Sequence, residues 1–264
     1  MTAWVRQIFP DEAALADADL AALYAYPDLT AAGSPPAAGS PHWLRANMVS
    51  SLDGAATLRG RSGGLSSEWD QQVFAMLRAL TDVILVGAGT VRAEHYGPVR
   101  PESEGLRWAW LRKDRTPSPP IAVVTRGLDL DLDSPLITEA PEHARTIVIT
   151  TESAPADRRA AAARGADVVV AGDESVDISA AVAGLIMRGH RHILAEGGPH
   201  LLSEIANAGH LDELCLTVSP LLAGAGAGRI TQGPPLPDAT GVRPFTLAHL
   251  LADEGYLFCR YVRQ

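Results

Sequence analysis

Two acidic residues stand where an open sheet could use them. Glu196 follows the apolar run Ile193-Leu194-Ala195 and precedes Gly197-Gly198-Pro199. Asp53 closes the stretch Val49-Ser50-Ser51-Leu52 and precedes Gly54. Each pattern puts a carboxylate at the carboxyl end of a strand beside a glycine. Open α/β sheets bind ligands outside that edge, and a carboxyl placed there could exchange a proton with one. Asp-Gly is equally a common turn pair, so Asp53 also reads as a turn former. Two arginines could serve an anion. Arg78 falls off the apolar stripe of its helix, so it is either an ordinary exposed cation or an anion hook aimed at the site. Arg100 follows closely on a second glycine turn, within a polar insert at 96–120 that otherwise reads as a solvated surface loop.

The elements that must position these groups are turns. After Ala195 the two glycines break the strand, and Pro199 sits at the first position of a helix whose apolar spacing includes Leu201, Leu202 and Ile205, with Gly209 at its end. Such a turn offers backbone N–H groups, including that of His200, and the positive end of a helix dipole. Gly197 and Gly198 would let a pyrophosphate approach the backbone, although a βα turn without a ligand has the same grammar. The apolar run at 83–86 ends in Gly87-Ala88-Gly89-Thr90, a second turn of the same kind. Two turns on one sheet suit the two halves of a dinucleotide. Neither is a Rossmann fingerprint or a P-loop, because the third glycine and the Gly-Lys-Ser/Thr are missing. The strand at 121–124 ends in Thr125-Arg126, a hydroxyl and a guanidinium suited to a 2′-phosphate, and so to NADP rather than NAD.

The 264 residues alternate strand and helix from residue 43 to 209, which predicts an α/β fold with a largely parallel central sheet covered on both faces. Strand patterns at 245–251 and 256–262, joined by Asp253-Glu254-Gly255, predict a C-terminal antiparallel hairpin. A Gly-rich loop at 60–65 reads as a lid, and Ser67 to Asp70 has the spacing of a capping box. Residues 1–41 read as an N-terminal extension and linker, and 42–264 as one domain. The net charge of −9 argues against nucleic-acid binding, and no apolar stretch reaches bilayer length. No leader pattern is seen, and Cys215 and Cys259 read as buried thiols of a reducing compartment, so a cytoplasmic protein is expected. Two cysteines cannot form a four-ligand zinc site, and no metal is expected.

Taken in order, Ser50-Ser51-Leu52-Asp53-Gly54, Leu77-Arg78-Ala79, Val86-Gly87-Ala88-Gly89-Thr90-Val91-Arg92, Pro98-Val99-Arg100, Glu196-Gly197-Gly198-Pro199 and Leu211-Asp212-Glu213-Leu214 resemble the pyrimidine reductases of riboflavin biosynthesis, the family of the C-terminal half of bacterial RibD. The resemblance implies a dihydrofolate reductase-like fold, a homodimer, and NADPH-dependent reduction of 5-amino-6-(5-phosphoribosylamino)uracil to its ribityl form. It implies that Ser50, Thr90 and the turn formed by Gly197, Gly198, Pro199, His200, Leu201 and Leu202 contact NADPH, with Thr125 near the 2′-phosphate. By the same likeness Arg78 and Arg100 hold the substrate phosphate while Asp53 and Glu196 face the substrate, Asp53 being the candidate proton donor. A dihydrofolate or other pterin substrate is the enzymatic alternative. A non-catalytic NADPH-binding module is the other, and the joint presence of Asp53, Arg78, Arg100 and Glu196 speaks against it.

Overall fold

A computed structural model describes residues 5–29, 42–100, 106–235 and 242–264. In chain order its strands and helices are β1 (Arg6–Phe9), β2 (Ala13–Ala14), α1 (Asp17–Leu23), β3 (Trp43–Ser50), α2 (Glu68–Leu80), β4 (Val83–Gly87), α3 (Ala88–Glu94), β5 (Ile121–Val124), α4 (Pro135–Thr138), β6 (Ile147–Thr150), α5 (Ala156–Gly165), β7 (Asp167–Val170), α6 (Ile178–Ile186), β8 (His192–Ala195), α7 (Pro199–Asn207), β9 (Glu213–Val218), β10 (Phe245–Asp253) and β11 (Tyr256–Arg263). They form one sheet in the order β2-β1-β10-β11-β9-β3-β8-β4-β5-β6-β7. From β9 to β7 every pairing is parallel, whereas β11, β10, β1 and β2 add antiparallel strands to one side.

The parallel strands read as unbroken apolar runs because both faces are covered. Ile84, Val86, Val123, Val148 and Leu194 point into one core with Val73, Met76 and Leu77 of α2. Leu44, Leu85, Ile147 and Ile193 point into a second core with Ile178, Val182 and Leu185 of α6 and Leu201, Leu202 and Ile205 of α7. The C-terminal hairpin forms as expected, closing at Asp253↔Tyr256 over a left-handed Gly255.

The expected surface loop within 96–120 is a correction. Trp108 is buried in the first core, and Arg112 is buried as well, donating to the carbonyls of Ala79 and Thr81 at 3.2 and 2.8 Å. The end of α2 leaves carbonyls without helical partners, and the arginine supplies them. Residues 101–105 of that insert lie outside the described residues.

Candidate active site

Four neighbouring parallel strands, β3, β8, β4 and β5, bring their carboxyl ends to one edge. That edge carries Ser50, then Glu196 with its glycines, then Gly87 to Thr90, then Thr125 and Arg126. The two glycine turns are bonded to each other. The Gly87 N–H donates to the Gly197 carbonyl at 2.8 Å, and the Glu196 N–H donates to the Leu85 carbonyl at 3.0 Å. Gly197 has φ +85°, a left-handed backbone, and Gly198 is the N-cap of α7 with Pro199 next. A side chain at Gly198 would crowd Thr90, since a Cβ there would lie 2.7 Å from Thr90 Oγ1 and one of the two would have to shift. Pro199 has no N–H, and the first helical bond shown at this end runs from the Leu202 N–H to the Gly198 carbonyl. The N–H groups of His200 and Leu201 therefore have no intrahelical acceptor.

A cleft of about 410 Å³ opens beside these turns. Its lining includes Asn47, Met48 and Val49 of β3, Asp70, Gln71, Phe74 and Arg78 of α2, Thr90, Glu94, Tyr96 and Glu196, and Ser62, Gly63 and Ser66. Arg78 and Glu196 face each other inside it as a two-toothed ion pair, Nε to Oε1 at 2.7 Å and Nη2 to Oε2 at 2.8 Å, and their side chains are 10% and 1% exposed. The Tyr96 hydroxyl donates to Glu196 Oε2 at 2.7 Å, and burial, then the Glu196 carboxylate, push that phenol well above its ordinary pKa. The guanidinium also lies over the Phe74 ring, 4.2 Å from its centre. Of the two readings of Arg78, the exposed cation is thus a correction: Glu196, far away in sequence, draws the guanidinium inward. An anionic group of a substrate would have to share Arg78 with Glu196.

The remaining expected residues divide clearly. Ser50 and Thr125 are buried at their strand ends, and Thr125 donates its N–H to the Ile149 carbonyl at 2.9 Å. Leu201 and Leu202 are core residues, so they offer a ligand backbone and no side chain. Gly89, Arg126 and His200 are exposed. Arg100 stands apart from the lining residues of the cleft. It is exposed, paired with Glu139, and lines a separate hollow with Pro117, Ser118 and His143. Glu139, the residue that ends α4, holds it there.

Asp53, the candidate proton donor, stands at the loop beside the cleft. It is exposed, is not among the cleft-lining residues, and accepts from the Ser51 hydroxyl, from the Ala223 N–H at 3.1 Å and from the Gly224 N–H at 2.8 Å. The Ser51 bond first, then the Ala223 bond, hold its pKa down to about 2. These bonds tie Asp53 to the loop at 221–224.

Three residues escaped the sequence reading as site residues. Tyr96 opened what looked like a polar insert. Glu94 accepts from the Ser62 N–H and hydroxyl at 2.7 and 2.9 Å, which ties the expected lid loop to the end of α3. Asp70 was visible only as one end of a capping box. Half of that box forms, the Asp70 N–H donating to Ser67 Oγ at 3.1 Å, while the Asp70 carboxylate accepts from Ser66 Oγ at 2.5 Å inside the cleft.

A mostly parallel sheet extended by a C-terminal antiparallel hairpin is the fold this chain shares with solved pyrimidine reductase-like structures. A Corynebacterium diphtheriae pyrimidine reductase-like protein superposes with TM-score 0.71 at 26% identity, covering 85% of this chain and 93% of that one. Acinetobacter baumannii RibD shares the fold with TM-score 0.64 at 19% identity, covering 84% of this chain and 58% of that chain. The profile of the RibD C-terminal domain matches residues 42–254, and the chain belongs to that family. Two relatives are named 2,5-diamino-6-ribosylamino-4(3H)-pyrimidinone 5′-phosphate reductase. The one from Archaeoglobus fulgidus is 30% identical over 179 residues, 67% of this chain and 80% of the relative. The one from Aquifex aeolicus is 34% identical over 180 residues, 66% of this chain and 75% of the relative. The protein is an oxidoreductase of this class.

Proposed function

We propose that this chain reduces the ribosyl group of a phosphorylated ribosylaminopyrimidine to ribityl with NADPH. The observation that carries the reading is the contiguous edge formed by the carboxyl ends of β3, β8, β4 and β5, with the acidic cleft opening beside it. The turn residues fit a dinucleotide: a Cβ at Gly198 would crowd Thr90, the N–H groups of His200 and Leu201 lack helical acceptors, and Arg126 is exposed past the end of the next strand but one. Gly87, Gly89, Thr90, Gly197 to Leu202, Ser50, Thr125 and Arg126 are the residues that would hold the cofactor. When bound, NADPH supplies the hydride for the ribosyl C1′.

The chain's own residues hold the substrate and exclude water. Glu196 is fixed in one orientation by Arg78 and Tyr96, so its carboxylate meets a substrate hydroxyl or amine without first reorganising. The Tyr96 hydroxyl, with its proton held tightly toward Glu196, gives the cleft a polar group that stays neutral through physiological pH. The Ser62 side of the lid, tied to Glu94, covers the rim. We infer a cytoplasmic homodimer, the buried free thiols of Cys215 and Cys259 supporting a reducing compartment.

The test is NADPH oxidation by the purified protein with the phosphoribosylated aminopyrimidine and, in parallel, with dihydrofolate. Turnover of the first and not the second is expected. Turnover of neither would remove the reductase reading, and light scattering decides the dimer.

A further inference from the structure

Helix α2 brings Arg78 to the cleft in its last turn, yet the end of that helix has no cap of its own. Thr81 is extended, with φ −89° and ψ 160°, no left-handed residue follows it, and β4 begins two positions on at Val83. A helix that ends this way leaves the carbonyls of Arg78, Ala79, Leu80 and Thr81 without helical donors. A segment some 30 residues further along supplies all four. Arg112 Nη1 lies 2.8 Å from the Thr81 carbonyl oxygen, 3.2 Å from that of Ala79 and 3.5 Å from that of Arg78. Arg115 Nη1 lies 2.7 Å from that of Leu80. Arg112 is 7% exposed, and its other bonds go to the Thr116 carbonyl at 2.6 Å and the Thr116 hydroxyl at 3.1 Å. Every partner shown for it is a carbonyl or hydroxyl oxygen. Its charge is thus set against the negative end of the α2 dipole.

The same segment is held at three other points. It begins as a 3-10 helix, Leu106–Arg112, whose Trp108 is buried in the first core with Val73, Met76 and Leu77 of α2. Arg107 pairs with Asp17 of α1, Nε to Oδ2 at 2.8 Å, and Arg115 pairs with Asp82, just past the end of α2, at 2.9 Å. None of these residues lines the cleft. Building on the reductase reading, we propose that residues 106–118 brace the last turn of α2 so that Arg78 stays on Glu196 as the substrate's anion arrives, with Arg112 as the positioning residue. Arg78 reaches Glu196 through two bonds of 2.7 and 2.8 Å from a turn that, uncapped, would fray. A guanidinium on a frayed turn keeps its long stem free to swing toward water. Fixed from behind, the fork keeps the Glu196 carboxylate aimed in advance. The glycine turns at Gly87 and Gly197 bond to each other, so the brace acts on the substrate side and leaves the cofactor side alone.

The test compares Arg112→Met, which keeps an apolar stem and removes the donors, with the native protein in steady-state kinetics on NADPH and the phosphoribosylated aminopyrimidine. For the variant, kcat/KM for the pyrimidine should fall by roughly tenfold or more, while KM for NADPH stays at the native value. A role confined to stability predicts a lower melting temperature with both parameters intact. Glu213→Gln, which weakens the fold away from the cleft, is the control and should show that pattern. No kinetic loss in Arg112→Met, or an equal loss in Glu213→Gln, overturns the brace. Should Arg112→Met not fold, Arg115→Met removes one of the four carbonyl contacts. It should lower kcat/KM for the pyrimidine and spare KM for NADPH, and an unchanged kcat/KM overturns the brace. Should the native protein reduce no pyrimidine, the reductase reading falls and the Arg78 side chain decides the brace alone. In a nitrogen-edited NMR spectrum its Nε–H should exchange slowly in the native protein and quickly in Arg112→Met, or in Arg115→Met if the first variant does not fold. Equal exchange in native and variant protein overturns the brace.

Discussion

Arg78 and Glu196 meet fork to fork inside the cleft, two parallel bonds of 2.7 and 2.8 Å between side chains 118 positions apart. Both are nearly excluded from water, so removing one leaves the other buried without its charge partner. Arg78→Ala should lower stability by about 3–5 kcal/mol. The double variant Arg78→Met with Glu196→Leu should recover most of that loss, because an apolar pair avoids desolvating two charges, while activity stays absent. Urea midpoints of the single and double variants check this. An unchanged midpoint for Arg78→Ala would mean that the pair contributes nothing to folding.

Gly198 and Gly89 look alike in the sequence and differ in space. A Cβ at Gly198 would lie 2.7 Å from Thr90 Oγ1, whereas nothing lies within 4 Å of one at Gly89, an exposed position in α3. Gly198→Ala must move Thr90 or the turn, so NADPH affinity should fall by roughly tenfold or more, the effect of one lost charge-assisted bond. Gly89→Ala should bind NADPH unless the cofactor itself lies against that spot, and should stabilise α3 by up to about 1 kcal/mol. Titration of cofactor fluorescence with both variants separates the outcomes. Loss of binding in Gly89→Ala alone would place the close approach on α3 rather than on α7.

The sheet was legible from the sequence because its signals are local. Apolar runs such as Val83 to Val86 mark strands buried on both faces, glycines mark their carboxyl ends, and the helices between force parallel neighbours. What was not legible depends on partners distant in the chain. The charge of Arg78 suggests the surface until Glu196 is placed beside it. The partners of the Asp53 carboxylate, the N–H groups of Ala223 and Gly224, lie some 170 positions away. Asp70 hides inside a capping pattern, because spacing shows that its N–H meets Ser67 and says nothing of where its carboxyl turns. Trp108 sits among charged residues in the sequence, yet it is buried while its neighbour Arg112 bonds the Thr81 carbonyl, which composition alone does not reveal.

Glu213 should govern acid stability. Burial pushes its carboxyl up, yet Arg45 and Arg260, with Nε atoms 2.6 and 2.8 Å from Oε1, more than offset this and hold its pKa at about 2 against an ordinary 4.5. Because the folded value is the lower one, its stabilisation is present above 4.5 and is lost as pH falls toward about 2. The same two arginines donate to the Tyr24 and Leu23 carbonyls at 2.6 Å, so the end of α1 is tied to this carboxylate. Asp212, next to it, has the opposite sign. Burial raises it from 3.8 to about 6, so its penalty grows as pH rises between those two values and is complete above the upper one. Glu213→Gln should flatten the acid limb of stability and expose residues near Leu23 to protease. Urea midpoints measured against pH test the first point, and an acid limb of unchanged steepness would relieve Glu213 of the role.

Arg126 should carry the preference for NADPH. It follows Thr125 past the end of β5 and is exposed, while the Thr125 side chain is buried, so a 2′-phosphate reaching this strand end would meet the guanidinium first. NADH lacks only that phosphate, which makes the pair of cofactors a clean probe. A hydrogen bond to a charged group contributes about 1.5–3 kcal/mol, and exposure to water pulls the value toward the low end, so Arg126→Ala should raise KM for NADPH by roughly tenfold. KM for NADH and the melting temperature should not move, because the side chain packs against nothing in the core. The preference should also shrink as salt is added to the native protein, since an exposed pair is screened within about 10 Å at 0.1 M ionic strength. A variant that loses affinity for both cofactors alike would show that Arg126 shapes the strand end instead of reading the phosphate, and a preference insensitive to salt would move the 2′-phosphate to a buried donor such as the Thr125 hydroxyl.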